Sequence, residues 1–486
     1  MNYKMMSRFE AWILAIEAVF MLPAFFISLF SGADKATLAF AMSIGILAVV
    51  AGLFALASIG AREGFYAREG LICVCAGWIL MSLFGCLPFW LSGEIPRFID
   101  ALFEIVSGFT TTGASILSDV ESLSNGILYW RSFSHWLGGM GVLVFLLAIV
   151  PSGGRKEGFT MHLLRAESPG PDVGKLAPKM RRTATVLYLT YIGLTVLNIV
   201  FLLIGDMPLF EAVCTALGTA GTGGFGVKND SLASYSAYSQ YVVAVFMLLF
   251  GTNLNIFFLI ITGHFIRAVK SEELRWYFCI VTAAVAGIFI SVGLQTAFTE
   301  SAFRHSFFQV ASIISTTGFY SADFELWPVI THVIILILMF CGGCAGSTAG
   351  GIKISRIMLL LKNGKREVRY IAHPRAMISV KLEGKTVDHD TIRGTTSYII
   401  VFIALLVSSV LAVIAIEGCD LITGFTSVST CLNNVGPGLG EVGPTDSFGT
   451  LSDPTKLILC FDMLAGRLEL FPMLMLFSPS AWKHHS

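Results

Sequence analysis

Thr110-Thr111-Thr112-Gly113-Ala114 closes an apolar segment, 99–112, that at about a dozen residues is too short to cross a bilayer as a helix. Related tails close three further short segments: Ala220-Gly221-Thr222-Gly223-Gly224 after 208–222, Ser315-Thr316-Thr317-Gly318-Phe319 after 302–317, and Asn433-Asn434-Val435-Gly436-Pro437 after 420–435. One such tail alone is a polar turn after a helix. Four in phase, each ahead of a long apolar run and with glycines at 113, 223, 318 and 436, mark a repeated helix–pore-loop–helix unit. Ala101-Leu102-Phe103-Glu104 and Pro208-Leu209-Phe210-Glu211 echo each other upstream.

The chemistry of such a tail follows from ion solvation. A cation leaving water needs its hydration shell replaced by oxygens, and carbonyls aimed at one axis supply them in rings. Turning successive carbonyls one way needs a residue near positive φ, which glycine reaches without steric cost. Thr and Ser hydroxyls can satisfy the backbone groups freed behind, and each short helix directs its partially negative C-terminus at the ion path. The expected filter is therefore Thr110, Thr111, Thr112 and Gly113; Ala220, Gly221, Thr222 and Gly223; Ser315, Thr316, Thr317 and Gly318; and Asn433, Asn434, Val435 and Gly436.

Composition agrees with a membrane protein. Of the 486 residues 55% are hydrophobic and 13% charged, the latter about half the share in soluble domains. Apolar runs able to span occur near 11–30, 37–59, 70–92, 127–150, 184–204, 238–265, 277–298, 329–360, 395–416 and 456–478. Lys4 and Arg8 before the first run imitate a secretory signal, but the run is long and leads directly into another, so it reads as a retained helix. Basic clusters fall in 151–183 (Arg155, Lys156, Arg165, Lys175, Lys179, Arg181, Arg182) and 361–394, acids in the opposite loops (Asp119, Glu121, Asp230, Asp323, Glu441, Asp446), which places both termini inside. The expected fold is an all-α polytopic membrane protein with four pseudo-fourfold helix–pore-loop–helix repeats and two extra N-terminal transmembrane helices. Its divisions are 1–68, 69–160, 161–270, 271–394 and 395–486.

Other chemistry finds little footing. The ten cysteines lie mostly in apolar runs, and the CxxC of Cys341 and Cys344 has no second CxxC or His pair to complete a zinc site. No HExxH pair, nucleophile motif or Walker loop is present, so an enzyme is not expected. His135 and Trp136 read as interfacial anchors. Glu104 and Glu211, inside the short segments, read as structural hydrogen-bond acceptors rather than ion ligands.

The run 329–360 is interrupted by Gly342, Gly343, Gly346, Gly350 and Gly351, each of which weakens a helix by up to about 1 kcal/mol relative to alanine. Two readings stand: a break in the span, or the small-xxx-small pattern of close helix contact at 342, 346 and 350. Lys353, at the end of this stretch, has the ordinary reading of a snorkelling side chain at the cytoplasmic boundary. Arg467 lies inside the last span, where a charge is costly and faces a cavity or partner. Asp462 and Glu469 are not spaced to neutralise it on one helical face, so Arg467 is expected below the filter as an electrostatic barrier or gate contact.

These four tails, the two extra N-terminal spans, Ala372-His373-Pro374-Arg375 and the glycine-rich break make the chain resemble the Trk/Ktr/HKT superfamily of potassium transporters, within it the bacterial Trk-type membrane subunit. The resemblance implies a potassium-translocating, multi-pass protein of the bacterial inner membrane. It also implies a homodimer with one pore per protomer, in membrane lipid, working with a cytoplasmic nucleotide-binding regulatory subunit. The nucleotide belongs to that partner; potassium is the only small ligand expected on this chain, with no organic cofactor and no nucleic acid. Gly113, where sodium-preferring relatives carry Ser, favours potassium. The resemblance also turns the glycine-rich stretch into an intramembrane gating loop beneath the filter, ending at Lys353. The stretch Ile378-Ser379-Val380-Lys381-Leu382 before Glu383-Gly384 reads as a hairpin on which the regulatory subunit docks. Ala114 and the glycine-rich second tail, Gly221 to Gly226, depart from the pattern. A proton- or sodium-coupled symporter is the alternative, since repeats and broken helices occur there too. Its inverted repeats would alternate in orientation, whereas these four present their short segments on one side.

Overall fold

A computed structural model describes residues 2–61, 67–141, 180–376 and 378–482; most of the basic segment 151–183 lies outside them. Among the described residues six helices are long and apolar enough to cross a membrane: Tyr3–Phe30, Asp34–Ala57, Glu69–Leu91, Thr185–Ile204, Glu272–Gln295 and His389–Glu417. Their outward faces carry large apolar side chains, among them Leu38, Val49, Leu53 and Ile400, an arrangement suited to lipid rather than water.

Between these spans sit four short helices, Phe98–Phe109, Leu209–Gly221, Glu300–Ile314 and Leu421–Asn433, close to the segments expected from sequence. Thr299 caps the third by accepting from Ala302 N–H, and Asp420 caps the fourth by accepting from Ile422 and Thr423 N–H, as oxygen side chains do at exposed helix starts. A second helix follows each: Asn125–Gly139, Ala237–Phe250, Val329–Cys341 and Asp453–Arg467. Every short helix also packs on the second helix of the preceding unit: Leu209–Gly221 on Asn125–Gly139, Glu300–Ile314 on Ala237–Phe250, Leu421–Asn433 on Val329–Cys341. Phe98–Phe109 packs on Asp453–Arg467, so the last unit closes on the first.

In the runs 238–265 and 456–478 the second helices correct the expectation of continuous spans, while 329–360 breaks at its glycines. The run 238–265 bends by 92° between Phe250 and Leu254. The run 329–360 stops at Cys341, resumes at Ile354 and continues to Ala372, well into the basic segment. The run 456–478 stops at Arg467, with Glu469 and Leu470 both at φ 62° before the short helix Phe471–Met475. Hydropathy sums are blind to such bends, and non-helical backbone at membrane depth survives where protein covers it.

Charge pairs tie the units together. Glu104, fully buried, accepts from Arg131 Nε at 2.5 Å, from Ser115 Oγ at 2.9 Å and from Ile116 N–H at 2.9 Å. It therefore anchors the chain leaving the first short helix, the structural role expected. Glu211 is likewise engaged, by the Tyr235 hydroxyl at 2.6 Å. The wholly buried Lys456 ammonium binds Asp100 at 2.6 Å, linking the fourth unit to the first. Removing one member of a buried pair strands the other charge at a cost of about 3–5 kcal/mol. Glu104→Ala is expected to lower the thermal unfolding temperature in detergent sharply, and E104Q/R131M to recover most of the loss.

Candidate functional site

Each short helix ends in the same turn. Thr111, Thr222, Thr316 and Asn434 take φ of 54–56°, and their N–H groups donate to Gly108, Thr219, Ile313 and Cys431 carbonyls. The next N–H, of Thr112, Gly223, Thr317 and Val435, reaches back to Ser107, Gly218, Ser312 and Thr430. This is a left-handed helix cap, and non-glycine residues adopt it rarely enough that four equivalent cases point to a functional constraint. Two residues further on, Gly113, Gly224, Gly318 and Gly436 have φ of 80°, 78°, 86° and 101°.

The turn corrects the register of the second tail. Its four residues are Gly221, Thr222, Gly223 and Gly224, one place later than Ala220–Gly223; Ala220 is buried in the last turn of its helix. Glycines crowd this tail, so aligning on glycine alone left the phase ambiguous, whereas the backbone turn fixes it.

The four glycines form a closed series. A β-carbon on Gly113 would strike the carbonyl oxygen of Gly223, on Gly224 that of Thr317, on Gly318 that of Val435, and on Gly436, at 2.8 Å, that of Thr112. The third carbonyl of each tail thus abuts the glycine of the tail before it, round to the start. Outside lies an open cavity of about 270 Å³ lined by all four glycines, by the carboxylates Glu441 and Asp446, and by Lys228 and Arg131. Tyr320 donates its hydroxyl to Asn229 O at 2.7 Å at the rim, and burial, with Asp230 and Asp323 nearby, pushes that phenol up to about 12, so it stays a neutral donor.

Beneath the tails runs the glycine-rich stretch 342–353, which is not helical; the reading of 342, 346 and 350 as a helix-contact stripe is overturned. The stretch hangs on its neighbours by backbone groups. Cys344 N–H donates to Gly251 O at 2.9 Å, Gly346 O accepts from Leu254 N–H at 3.1 Å, and Ala345 N–H donates to Glu273 Oε1 at 2.7 Å. Gly350 N–H donates to Thr316 Oγ1 at 2.6 Å and Gly351 N–H to Asn433 O at 2.9 Å. Two tails therefore touch the loop directly. Gly342 takes φ 64°, and a β-carbon on Gly343 would crowd the Ala349 side chain and Gly251 O.

Arg467 sits at this loop. Its guanidinium donates to Thr348 O at 2.9 Å, Gly138 O at 2.5 Å and Gly139 O at 2.8 Å, bridging the loop and the end of the helix Asn125–Gly139. Asp462 instead accepts from Ser409 Oγ at 2.9 Å, and Glu469 pairs with Arg356, which lies 4.1 Å over the Tyr398 ring. Lys353 does not snorkel: it is 4% exposed, at φ 74°, and its ammonium binds Ala349 O inside the loop. His135 and Trp136 are not interfacial anchors either. His135 is fully buried behind Gly223, and Trp136 donates to Thr195 Oγ1 at 3.2 Å and stacks on Tyr191. Their helix starts at the outer side and has carried them inward by residue 135.

Sequence reasoning missed Arg131 and Glu273. A lone arginine within the run 127–150 was a signal for the first; nothing at Glu273, beside a polar loop, marked it. On the cytoplasmic side Lys381–Leu382 pairs antiparallel with Lys385–Thr386, the hairpin expected there. Its turn residue Glu383 accepts from Ser271 Oγ at 2.8 Å and from Glu273 N–H at 3.0 Å. The hairpin thereby touches the turn whose Glu273 carboxylate holds Ala345 of the loop.

The sequence profile described as TrkH, cation transport protein, matches residues 39–277 and 273–485. The Trk system potassium uptake protein TrkG of Escherichia coli K12 is 34% identical over 490 residues, 98% of each chain. The Trk system potassium uptake protein TrkH of Salmonella typhimurium is 36% identical over 423 residues, 86% of each. The crystal structure of the potassium transporter TrkH from Vibrio parahaemolyticus superposes with a TM-score of 0.87 at 30% identity, over 99% of this chain and 100% of that one.

Arg467→Ala removes three bonds from two elements at once. Hydrogen–deuterium exchange of 342–353 is expected to quicken and cation flux through reconstituted protein to rise; unchanged exchange and flux in a folded variant would rule out a restraining role.

Proposed function

This chain belongs to the TrkH family of cation transport proteins, a multi-pass membrane protein, and we propose that it carries potassium across the bacterial inner membrane through a pore lined by the four tails. The observation that carries the reading is the closed series of third-position carbonyls against positive-φ glycines: oxygens brought together without side chains between them are what a dehydrated monovalent cation requires. The filter in this reading is 110–113, 221–224, 315–318 and 433–436. Gly113 in the first tail favours potassium over sodium.

The loop 342–353 is the gate of this reading. It lies across the inner end of the tails, bonded to Thr316 and Asn433, with Arg467 adding positive charge on the path. A cytoplasmic nucleotide-binding subunit acts through the hairpin 381–386, whose contact with Ser271 and Glu273 is one residue-length from the loop's own hydrogen bond. The working unit is a homodimer with one pore in each protomer.

Potassium and sodium flux into liposomes containing this chain alone, with Gly113→Ser run beside it, tests the filter. Potassium-preferring flux that loses its preference in the variant is expected; a variant as selective as the parent removes the filter from these tails. Flux only in the presence of a partner or a second ion gradient would transfer the assignment to an obligately regulated or coupled transporter. Deleting 376–390 is expected to abolish nucleotide-dependent control by the partner while sparing basal flux, and retained control would move the docking surface elsewhere.

A further inference from the structure

The corrected register exposes a gap in the second tail. At the first and third positions two of the tails carry hydroxyl side chains that bond to each other behind the backbone: Thr110 Oγ1 to Thr112 Oγ1 at 2.8 Å, and Ser315 Oγ to Thr317 Oγ1 at 2.7 Å. In the fourth, Val435 fills the third position and Asn433 Nδ2 donates to Ser429 O at 2.8 Å. The second tail has Gly221 and Gly223 at these places. Neither has positive φ, so the backbone does not demand glycine at either.

Space does. A β-carbon on Gly223 would fall inside the imidazole of His135, and one on Gly221 would meet the His135 carbonyl and its β-carbon at 3.0 Å. The ring comes from the neighbouring unit, on the helix Asn125–Gly139, and is fully buried, stacked on Phe225 at 4.1 Å between centroids and 25° between planes. Four residues earlier Arg131 lies 3.7 Å over the same Phe225 and donates to Gly226 O at 2.8 Å. Among the described residues neither imidazole nitrogen has a hydrogen-bond partner. The ring therefore acts by volume and stacking rather than by bonding, a costly use of a polar group inside a membrane protein.

We propose that His135 is a specificity-determining positioning residue. It supplies from the first unit the back wall that the paired hydroxyls supply in the first and third tails, holding the third-position carbonyl of Gly223 at its distance from the ion. The proposal rests on reading the tails as the filter. It makes the glycine-rich second tail a consequence of one neighbouring side chain rather than of backbone freedom.

Potassium and sodium flux of His135→Ala, Gly223→Thr and the exchange variant His135→Gly/Gly223→Thr, with Gly113→Ser alongside, tests it. H135A is expected to lose about tenfold of the potassium-to-sodium ratio. G223T is expected to lose potassium flux, because its side chain competes with the ring, and H135G/G223T to regain selective flux, because a threonine again stands behind the carbonyl. An H135A as selective as the parent while G113S loses selectivity overturns the proposal and leaves the filter in place; a ratio unmoved by either removes the filter reading and the proposal with it. Where H135A fails to insert, G223T decides: selective conduction beside an intact His135 overturns the proposal.

Discussion

A β-carbon at residue 113, 224, 318 or 436 would take the place of a neighbouring carbonyl oxygen, so each tail can approach the next only as glycine. The remaining architecture serves that approach. Four carbonyl dipoles held together repel one another, and the packed short helices, buried ion pairs and left-handed caps hold them against that repulsion. Each cap places a Thr or Asn at φ near 55°, at a cost of roughly 1–2 kcal/mol per residue. Two hydrogen bonds per turn and complete burial offset it.

The same economy governs the inner half. A loop of twelve residues crossing membrane depth has many N–H and C=O groups to satisfy, and here they go to the tails, to the bend at 250–254, to Glu273 and to Arg467. The loop is consequently bonded to elements from every unit of the ring: Gly138 and Gly139 through Arg467, Gly251 and Leu254 at the bend, Thr316, and Asn433. Moving the loop would break bonds to all of them together.

Much of this was legible in the residues. Short apolar segments followed by Thr-, Ser- or Asn-rich tails and a glycine gave the four short helices nearly to their ends, because length and periodicity are local properties. The glycine run 342–351 gave the break, and the isolated charge gave Arg467. What failed was what depends on another element. The second tail could be phased by Gly223 or Gly224, and only the turn at Thr222 distinguishes them. His135 looked like an anchor because its burial is decided by Gly221, Gly223 and Phe225, about ninety residues away in sequence. Lys353 looked solvated because the carbonyl of Ala349 that receives its ammonium exists only once the loop has folded. The bends at Gly251-Thr252-Asn253 and after Arg467 escaped notice because averaging hydropathy over a run hides a few polar residues within it.

The packing of Phe98–Phe109 on Asp453–Arg467, with Asp100 bound to the buried Lys456, has a consequence for how the molecule is made. Synthesis runs from the N-terminus, so the first tail and its short helix enter the membrane while the wall they lean on is still untranslated. Throughout that interval Asp100 has no Lys456, and three quarters of a ring present an open side to lipid. Until the helix Asp453–Arg467 is made, the first short helix has no wall to lean on and Asp100 no Lys456, so the ring closes only as the last unit of the chain arrives.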